Sequence, residues 1–282
     1  YNKIMTILDG KTLSEQILTS LKSEISDQKL FPILDIILVG TDPASQKYVD
    51  MKQKVATNIG IGGRVHHLDQ SASTTEVIDL INRLNQDKTV TGFMVQLPLP
   101  SQINTQQVLS AIDPKKDADG LSPFNLGLIF QKQSTGIPAA TALGIIKILD
   151  HYQIDVSGKN AVIVGRSPDV AFPLFALLTA RDATVTICHT QTKNLNDLCR
   201  QADILVSAIG KPKFFDKTFI KPGAVVIDVG FSRDQNGKLS GDFDFNSIKD
   251  IASFITPVPG GVGPMTIASL LFNTVQIAKI RP

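Results

Sequence analysis

Tyr48 and Lys52 lie four residues apart in a stretch with helical character, a spacing that sets both side chains on one face. A lysine held against apolar surface has its charged form disfavoured and can move protons near neutral pH. By itself the pair favours a blander reading, an exposed lysine beside a half-buried tyrosine. Lys47 and Lys54 point elsewhere and read as solvated. Gln96 closes the apolar run Gly92-Phe93-Met94-Val95. A polar side chain at the carboxyl end of a parallel strand points into the crevice where α/β folds bind ligands. Its amide can orient a substrate carbonyl or a water, or simply bond a neighbouring loop. Asp119, in Asp117-Ala118-Asp119-Gly120, reads either as part of a solvated turn or as a carboxylate that binds an amino-heterocycle. Thr256-Pro257-Val258-Pro259-Gly260-Gly261-Val262-Gly263-Pro264-Met265-Thr266 is a stiff loop whose backbone can approach a ligand closely.

A second set of residues points to a nucleotide. The strand Asn160-Ala161-Val162-Ile163-Val164 ends in Gly165-Arg166-Ser167-Pro168-Asp169-Val170 and then a helix. In a Rossmann unit this turn faces a pyrophosphate, and the free amides of the helix N-terminus donate to it. The motif is not G-x-G-x-x-G, and an ordinary strand-to-helix turn is the competing reading. The next strand ends Cys188-His189-Thr190-Gln191-Thr192, without the carboxylate that usually accepts from the ribose 2′-hydroxyl of NAD. Arg166 and Thr190 can instead meet a 2′-phosphate, since the guanidinium fork suits phosphate oxygens. NADP is therefore favoured over NAD.

These residues need strands and helices to hold them, and the hydrophobic pattern supplies both. Short β-branched runs alternate with amphipathic segments, the mark of parallel βαβ units. Strands are expected at 34–39, 64–68, 92–97, 160–165, 184–188, 204–208 and 224–229. Helices are expected at 12–28, from Asp42-Pro43 to Asn58, from Ser73 to 85, and at 105–112, 141–152, 169–180 and 266–280. Thr12 with Glu15, and Ser73 with Glu76, read as capping boxes. The expected fold is α/β in two domains. An N-terminal catalytic domain spans 1–139, with a C-terminal helix (265–282) folded back on it. A Rossmann-type dinucleotide-binding domain spans 140–264. The cleft between them is the expected place for chemistry.

Composition narrows the class. The chain has 282 residues, of which 43% are hydrophobic and 19% charged, with a net charge of +2. That is ordinary globular usage and lacks the basic face of a nucleic-acid binder. Cys188 and Cys199 fit neither a zinc site nor a disulfide framework, so no metal is expected and a reducing cytoplasm is. There is no apolar run of about 18 residues, so no membrane span is expected. Tyr1-Asn2-Lys3-Ile4-Met5 shows no leader pattern.

Taken in order, Tyr48-Val49-Asp50-Met51-Lys52, Val95-Gln96-Leu97-Pro98-Leu99-Pro100, Asp117-Ala118-Asp119-Gly120, Pro123-Phe124-Asn125-Leu126-Gly127, Gly165-Arg166-Ser167 and Pro257 to Pro264 closely resemble the bifunctional methylenetetrahydrofolate dehydrogenase/methenyltetrahydrofolate cyclohydrolase family. The match covers nearly the whole chain. It implies oxidation of 5,10-methylenetetrahydrofolate with NADP, then hydrolysis of the methenyl cation to 10-formyltetrahydrofolate, and a place in one-carbon metabolism and purine biosynthesis. It implies that Lys52 transfers protons in the hydrolysis, Tyr48 stacks on the folate, Gln96 assists Lys52 and Asp119 grips the pterin. Val95, Leu97, Pro259, Gly260 and Gly263 would line the folate pocket. Gly165, Arg166, Ser167, Thr190, Ala208, Phe231 and Thr266 would hold the cofactor. A cytoplasmic homodimer is implied as well.

The chain departs from the family pattern at two places. Ala139-Ala140-Thr141-Ala142 stands where Pro-Cys-Thr-Pro is usual, and Asp169 and Ala171 replace smaller or apolar residues of the cofactor turn. Ala171 bears on cofactor affinity and on the choice between NADP and NAD. Three other readings compete. A dehydrogenase without cyclohydrolase activity would not need Lys52. A shikimate-type dehydrogenase would not need Val-Gln-Leu-Pro-Leu-Pro or the final glycine loop. A nucleotide-sensing protein without catalysis would not need all four of Tyr48, Lys52, Gln96 and Asp119. No Walker loop is present for an ATP-dependent synthetase.

Overall fold

A computed structural model describes residues 5–133, 135–234 and 237–280. Residues 1–4, where the sequence shows no leader pattern, lie outside them. In chain order the elements are β1 (Thr6–Ile7), α1 (Gly10–Asp27), β2 (Leu34–Val39), α2 (Pro43–Asn58), β3 (Val65–Leu68), α3 (Thr74–Gln86), β4 (Gly92–Val95), α4 (Thr105–Ser110), α5 (Pro123–Phe130) and α6 (Ala140–His151). There follow β5 (Asn160–Val164), α7 (Ala171–Ala180), β6 (Thr184–Cys188), α8 (Leu195–Cys199), β7 (Ile204–Ser207), β8 (Val225–Asp228), β9 (Ser232–Arg233), β10 (Leu239–Ser240), α9 (Phe245–Ile248), β11 (Phe254–Ile255) and α10 (Val262–Ile280). Among the described residues no helix is long and apolar enough to cross a membrane.

The chain divides into two compact units, residues 15–140 with 267–282, and residues 1–14 with 141–266. The first is built on a parallel sheet in the order β3-β2-β4. Alternation along the strands sorts its core. Leu34, Ile36, Leu38 and Met94 pack with Val49 and Ala56 of α2 and with Leu270, Leu271 and Val275 of the C-terminal helix. Ile37, Val39, Phe93 and Val95 pack with Val77, Leu80, Ile81 and Leu84 of α3. Asp35, fully buried within β2, accepts from Arg64 N (2.9 Å), Arg64 Nη2 (3.1 Å) and His66 Nε2 (2.7 Å). The Ser73–Glu76 capping box forms as expected, and Asp42 caps α2 by accepting from Ser45 N.

The second unit holds an all-parallel sheet in the order β1-β11-β8-β7-β5-β6, and β9 and β10 form a small antiparallel ribbon. Its β5, β7 and β8 carry buried residues at every central position, as strands covered on both faces must.

Three expectations are corrected. By packing, residues 5–14 group with the Rossmann-type unit rather than with the catalytic one where they were expected. Thr6–Ile7 pairs with Phe254–Ile255, and Asp9 N donates to the Tyr152 hydroxyl (2.8 Å). β11 thereby gains a partner on its open side, and a two-residue strand leaves no periodicity to read. Helix α1 opens at Gly10 rather than Thr12. Asp9 is its cap, accepting from Thr12 N (3.1 Å) and Thr12 Oγ1 (2.6 Å), so the Thr12 hydroxyl is spent backwards and not on a box with Glu15. Helix α10 opens at Val262, four residues before the expected start. Gly263 and Pro264 lie in its first turn, where proline's missing N–H removes no helical bond.

Asn273 of α10 ties the last helix to two loops of the catalytic unit. Its Nδ2 donates to Ala118 O (3.0 Å) and Pro138 O (2.9 Å) at a site only 3% exposed. Asn273→Ala leaves both carbonyls unpaired, and urea unfolding is expected to show a loss of about 2–4 kcal/mol.

Candidate functional site

Helix α2 carries Tyr48 and Lys52, and β4 runs beneath it. Met94 lies on the sheet face that packs against α2, and Gln96, two residues on, projects to the same side. The backbone of Gln96 still pairs with β2, donating to Ile37 O (2.8 Å), which extends the strand register to the residue that matters. Lys52 Nζ donates to Gln96 Oε1 at 2.9 Å and lies 3.5 Å from Met94 Sδ. Gln96 Nε2 donates to Leu97 O (2.6 Å), which turns the amide so that its oxygen faces the lysine. The Leu97–Pro98 peptide is cis.

Lys52 is not the exposed lysine that spacing alone suggested: its relative exposure is 6%, while Lys47 and Lys54 are exposed. Burial lowers the pKa of its amine below the ordinary lysine value, and the charge of Asp119 acts in the opposite sense. Tyr48 is half-buried, and desolvation raises its pKa, so its hydroxyl stays protonated.

Asp119 sits in no solvated turn. Asp117 is 1% exposed and accepts from Leu121 N, Ser122 N and Asn125 Nδ2, tying the turn to α5. Asp119 O accepts from Ala140 N (3.0 Å). Gly120 adopts φ +69°, and a Cβ there would stand 2.5 Å from the Pro138 carbonyl carbon. The Asp119 backbone is held on both sides, and its half-buried carboxyl is close enough to Lys52 to bias it. Val95 is buried in β4 and Leu97 is half-buried beside it.

The remaining expected residues fall in the other unit. Gly165 ends β5 with φ +136°, and a Cβ there would lie 3.0 Å from Ala208 O at the end of β7. Ser167 Oγ is buried and, among the described residues, is one of two such side-chain atoms without a hydrogen-bond partner. A buried hydroxyl with no partner costs free energy unless a ligand completes it. Arg166 and Thr190 are exposed, and Thr190 lies in a turn fixed by His189 N donating to Thr192 Oγ1 (2.8 Å). Phe231 is 50% exposed in the turn between β8 and β9. Thr266 Oγ1 is within reach of Thr141 Oγ1 (3.2 Å) and Val262 O (3.3 Å), an engagement inside its own unit.

The glycine loop is braced by the chain's beginning. Lys11 N donates to Gly260 O (2.8 Å), and a Cβ at Gly10 would stand 2.0 Å from Gly261 O. Pro259, Gly260 and Gly263 therefore lie with the nucleotide turn's unit and not with Lys52's.

Residues 8–119 match the tetrahydrofolate dehydrogenase/cyclohydrolase catalytic domain, and residues 139–281 match the NAD(P)-binding domain of the same enzymes. The chain belongs to the tetrahydrofolate dehydrogenase/cyclohydrolase family. It is similar to the bifunctional protein FolD of Methanoculleus marisnigri, at 52% identity over 98% of this chain and 97% of that protein. It is also similar to the crystal structure of the Campylobacter jejuni bifunctional enzyme FolD, a methylenetetrahydrofolate dehydrogenase/cyclohydrolase (44% identity, TM-score 0.95, 99% and 100% of the two chains). A third likeness is the Trypanosoma brucei enzyme, solved with NADP cofactor and an inhibitor (34% identity, TM-score 0.93, 98% of each chain).

In this family member two contributors escaped the sequence reading. Met94 was legible in principle, being two residues from Gln96 on an alternating strand. Asn273 was not, since its two acceptors are more than a hundred residues away. Ser167 gives a direct test of the NAD(P) turn. Ser167→Ala removes an atom that the ligand-free protein does not use, so thermal unfolding without ligand is expected to change by no more than about 0.5 kcal/mol. Dinucleotide affinity, measured by titration, is expected to fall about 5- to 10-fold.

Proposed function

We propose that this chain oxidises 5,10-methylenetetrahydrofolate to the 5,10-methenyl cation with NADP and then hydrolyses that cation to 10-formyltetrahydrofolate, with Lys52 as the proton carrier of the second step. The observation that carries the reading is a desolvated amine held 2.9 Å from an amide oxygen.

The two steps ask for different things. Loss of hydride leaves a cation spread over two nitrogens, so the protein needs only to orient the methylene carbon. NADP, when bound, accepts that hydride. Gly165, Arg166, Ser167 and Thr190 would hold it, with Ala208, Phe231 and Thr266 nearby. The unpartnered Ser167 hydroxyl and the absence of a carboxylate between Cys188 and Thr192 both suit a phosphorylated ribose.

Hydrolysis moves protons. Water adds to the methenyl carbon, and neutral Lys52 takes the proton that water loses. The C–N5 bond then breaks, N5 receives a proton from Lys52, and the second water proton leaves to solvent as the formyl group forms. Burial disfavours the charged form of Lys52 and so eases access to the neutral amine. Gln96 Oε1 fixes the amine's direction and leaves its lone pair to point at substrate. Tyr48, protonated, offers a ring face to the pterin, and Asp119 accepts from the pterin's amino groups. Leu97, half-buried beside Gln96, completes the folate contacts of this unit on this reading. A homodimer acting in the cytoplasm belongs to the same proposal; both cysteines are free and buried, as suits a reducing compartment.

Lys52→Gln is expected to lower hydrolysis of added methenyltetrahydrofolate about 10²- to 10⁴-fold while methylene oxidation persists, so methenyl absorbance builds up beside NADPH. No NADP reduction by the wild type would overturn the dehydrogenase half.

Because Lys52 must be neutral, cyclohydrolase rates are expected to rise with pH and level off at an apparent pKa below 10.5, the ordinary lysine value. A rate that falls as pH rises would contradict the role. Arg166→Gln is expected to raise KM for NADP about 10-fold or more with little effect on NAD, read from initial rates.

A further inference from the structure

The carboxyl ends of β5, β7 and β8 lie side by side, with Val164 level with Ser207 and Ser207 level with Asp228. Beyond them come Gly165, the loop from Ala208 to Lys211, and the turn from Val229 to Phe231. Beneath the second and third of these lie two buried carboxylates, Asp242 (0% exposed) and Asp228 (4%). Asp242 Oδ2 accepts from the Ser207 hydroxyl (2.7 Å) and Ile209 N (2.9 Å), and its Oδ1 accepts from Lys211 N (2.7 Å). Asp228 Oδ1 accepts from Gly230 N (2.9 Å) and Asp242 N (3.0 Å), and its Oδ2 accepts from Phe243 N (3.0 Å). The two are interlocked: Asp228 holds the backbone of Asp242, and Asp242 holds the loop after β7.

Two glycines make this packing possible. A Cβ at Gly241 would stand 2.0 Å from Asp228 Oδ2, and one at Gly230 would stand 2.4 Å from Asp242 Oδ1. The bonds of Asp242 flank Ala208, whose carbonyl oxygen would be 3.0 Å from a Cβ on Gly165. A shift of the 208–211 loop therefore reaches the nucleotide turn directly.

We propose that Asp242 and Asp228 are positioning residues of the cofactor site, which lock the 208–211 loop and the 229–231 turn in the shape that receives the dinucleotide. The inference rests on the NADP reading given above for Gly165, Ala208 and Phe231. Both carboxylates are buried beneath the loops they hold, so each acts through those loops. Two like charges this close and this dry would be costly without donors, and each has three. Burial, with a smaller contribution from the Asp242 charge, pushes Asp228 up to about 7, which lessens that repulsion.

The chain's two activities supply the control. Asp242→Asn keeps the size but turns one acceptor into an NH2 group that faces N–H or O–H donors. Cyclohydrolase activity on added methenyltetrahydrofolate, whose proton-transfer residues Lys52 and Gln96 lie in the other unit, is expected to stay within about twofold of wild type. KM for NADP in the dehydrogenase assay, and Kd from titration, are expected to rise about 10-fold or more, with kcat at saturating NADP largely restored. A merely structural role would lower kcat at every NADP concentration and would not be rescued. Unchanged KM and Kd would overturn the proposal. If Asp242→Asn does not fold, Asp228→Asn decides: it keeps the Oδ1 bonds, loses the one from Phe243 N, and is expected to raise KM about 3-fold, with no rise overturning the proposal. Wild-type protein that does not bind NADP would instead remove the cofactor reading on which this one stands.

Discussion

Desolvation of one amine is the constraint around which the catalytic unit is organised. Lys52 can carry protons near neutrality only if water is kept from it, and it can be kept buried only if its hydrogen-bonding capacity is met. Met94 and Gln96 do these two things from one strand face. Met94 contributes polarisable bulk beside the ammonium, and Gln96 contributes the acceptor. Both side chains reach α2 because the register of β4 on β2, with Ile36 opposite Met94, sends the even-numbered residues of the two strands to that side. A slip of one residue would deliver Val95 to the lysine and bury Gln96 among the residues of α3.

Asp119 answers the same constraint from another direction. A buried lysine with no negative charge in range would be pushed far toward neutrality and would hold a proton poorly. Asp119 moderates the shift, and its own placement is set by backbone bonds to Ala140 and by Asn273 bridging Ala118 and Pro138. The acidity of the site and the packing of the last helix are thus one problem.

Much of this was legible in the amino-acid sequence, and the parts that were not have a common cause. β2, α2 and the Ser73–Glu76 cap emerge with almost the expected bounds, because each is specified by its own residues: an unbroken apolar run, an Asp-Pro start, a reciprocal cap. Gln96 was legible as a polar residue ending an apolar strand. The burial of Lys52 was not, since an i, i+4 pair says where two side chains face and not what covers them. The N-terminal strand was missed because two residues carry no period, and the true cap of α1 because Asp9 and Thr12 are both good caps and only geometry chooses between them. α5 was seen only as a family string, its cap Ser122 being fixed by Asp117. Asp228 and Asp242 are each unremarkable in sequence; their meeting depends on Gly230 and Gly241 admitting carboxylates where any side chain would collide.

Proton transfer in the catalytic unit depends on the ionisation of Lys52, and the most direct measurement is an NMR titration of its Nζ and Cε in isotope-labelled protein, assigned by comparison with a Lys52→Met spectrum. Lys52 is predicted to titrate below the ordinary lysine value of 10.5. Titration of Lys52 at or above that value would mean that the amine is solvated and charged at neutral pH, and would contradict its assignment as the proton carrier.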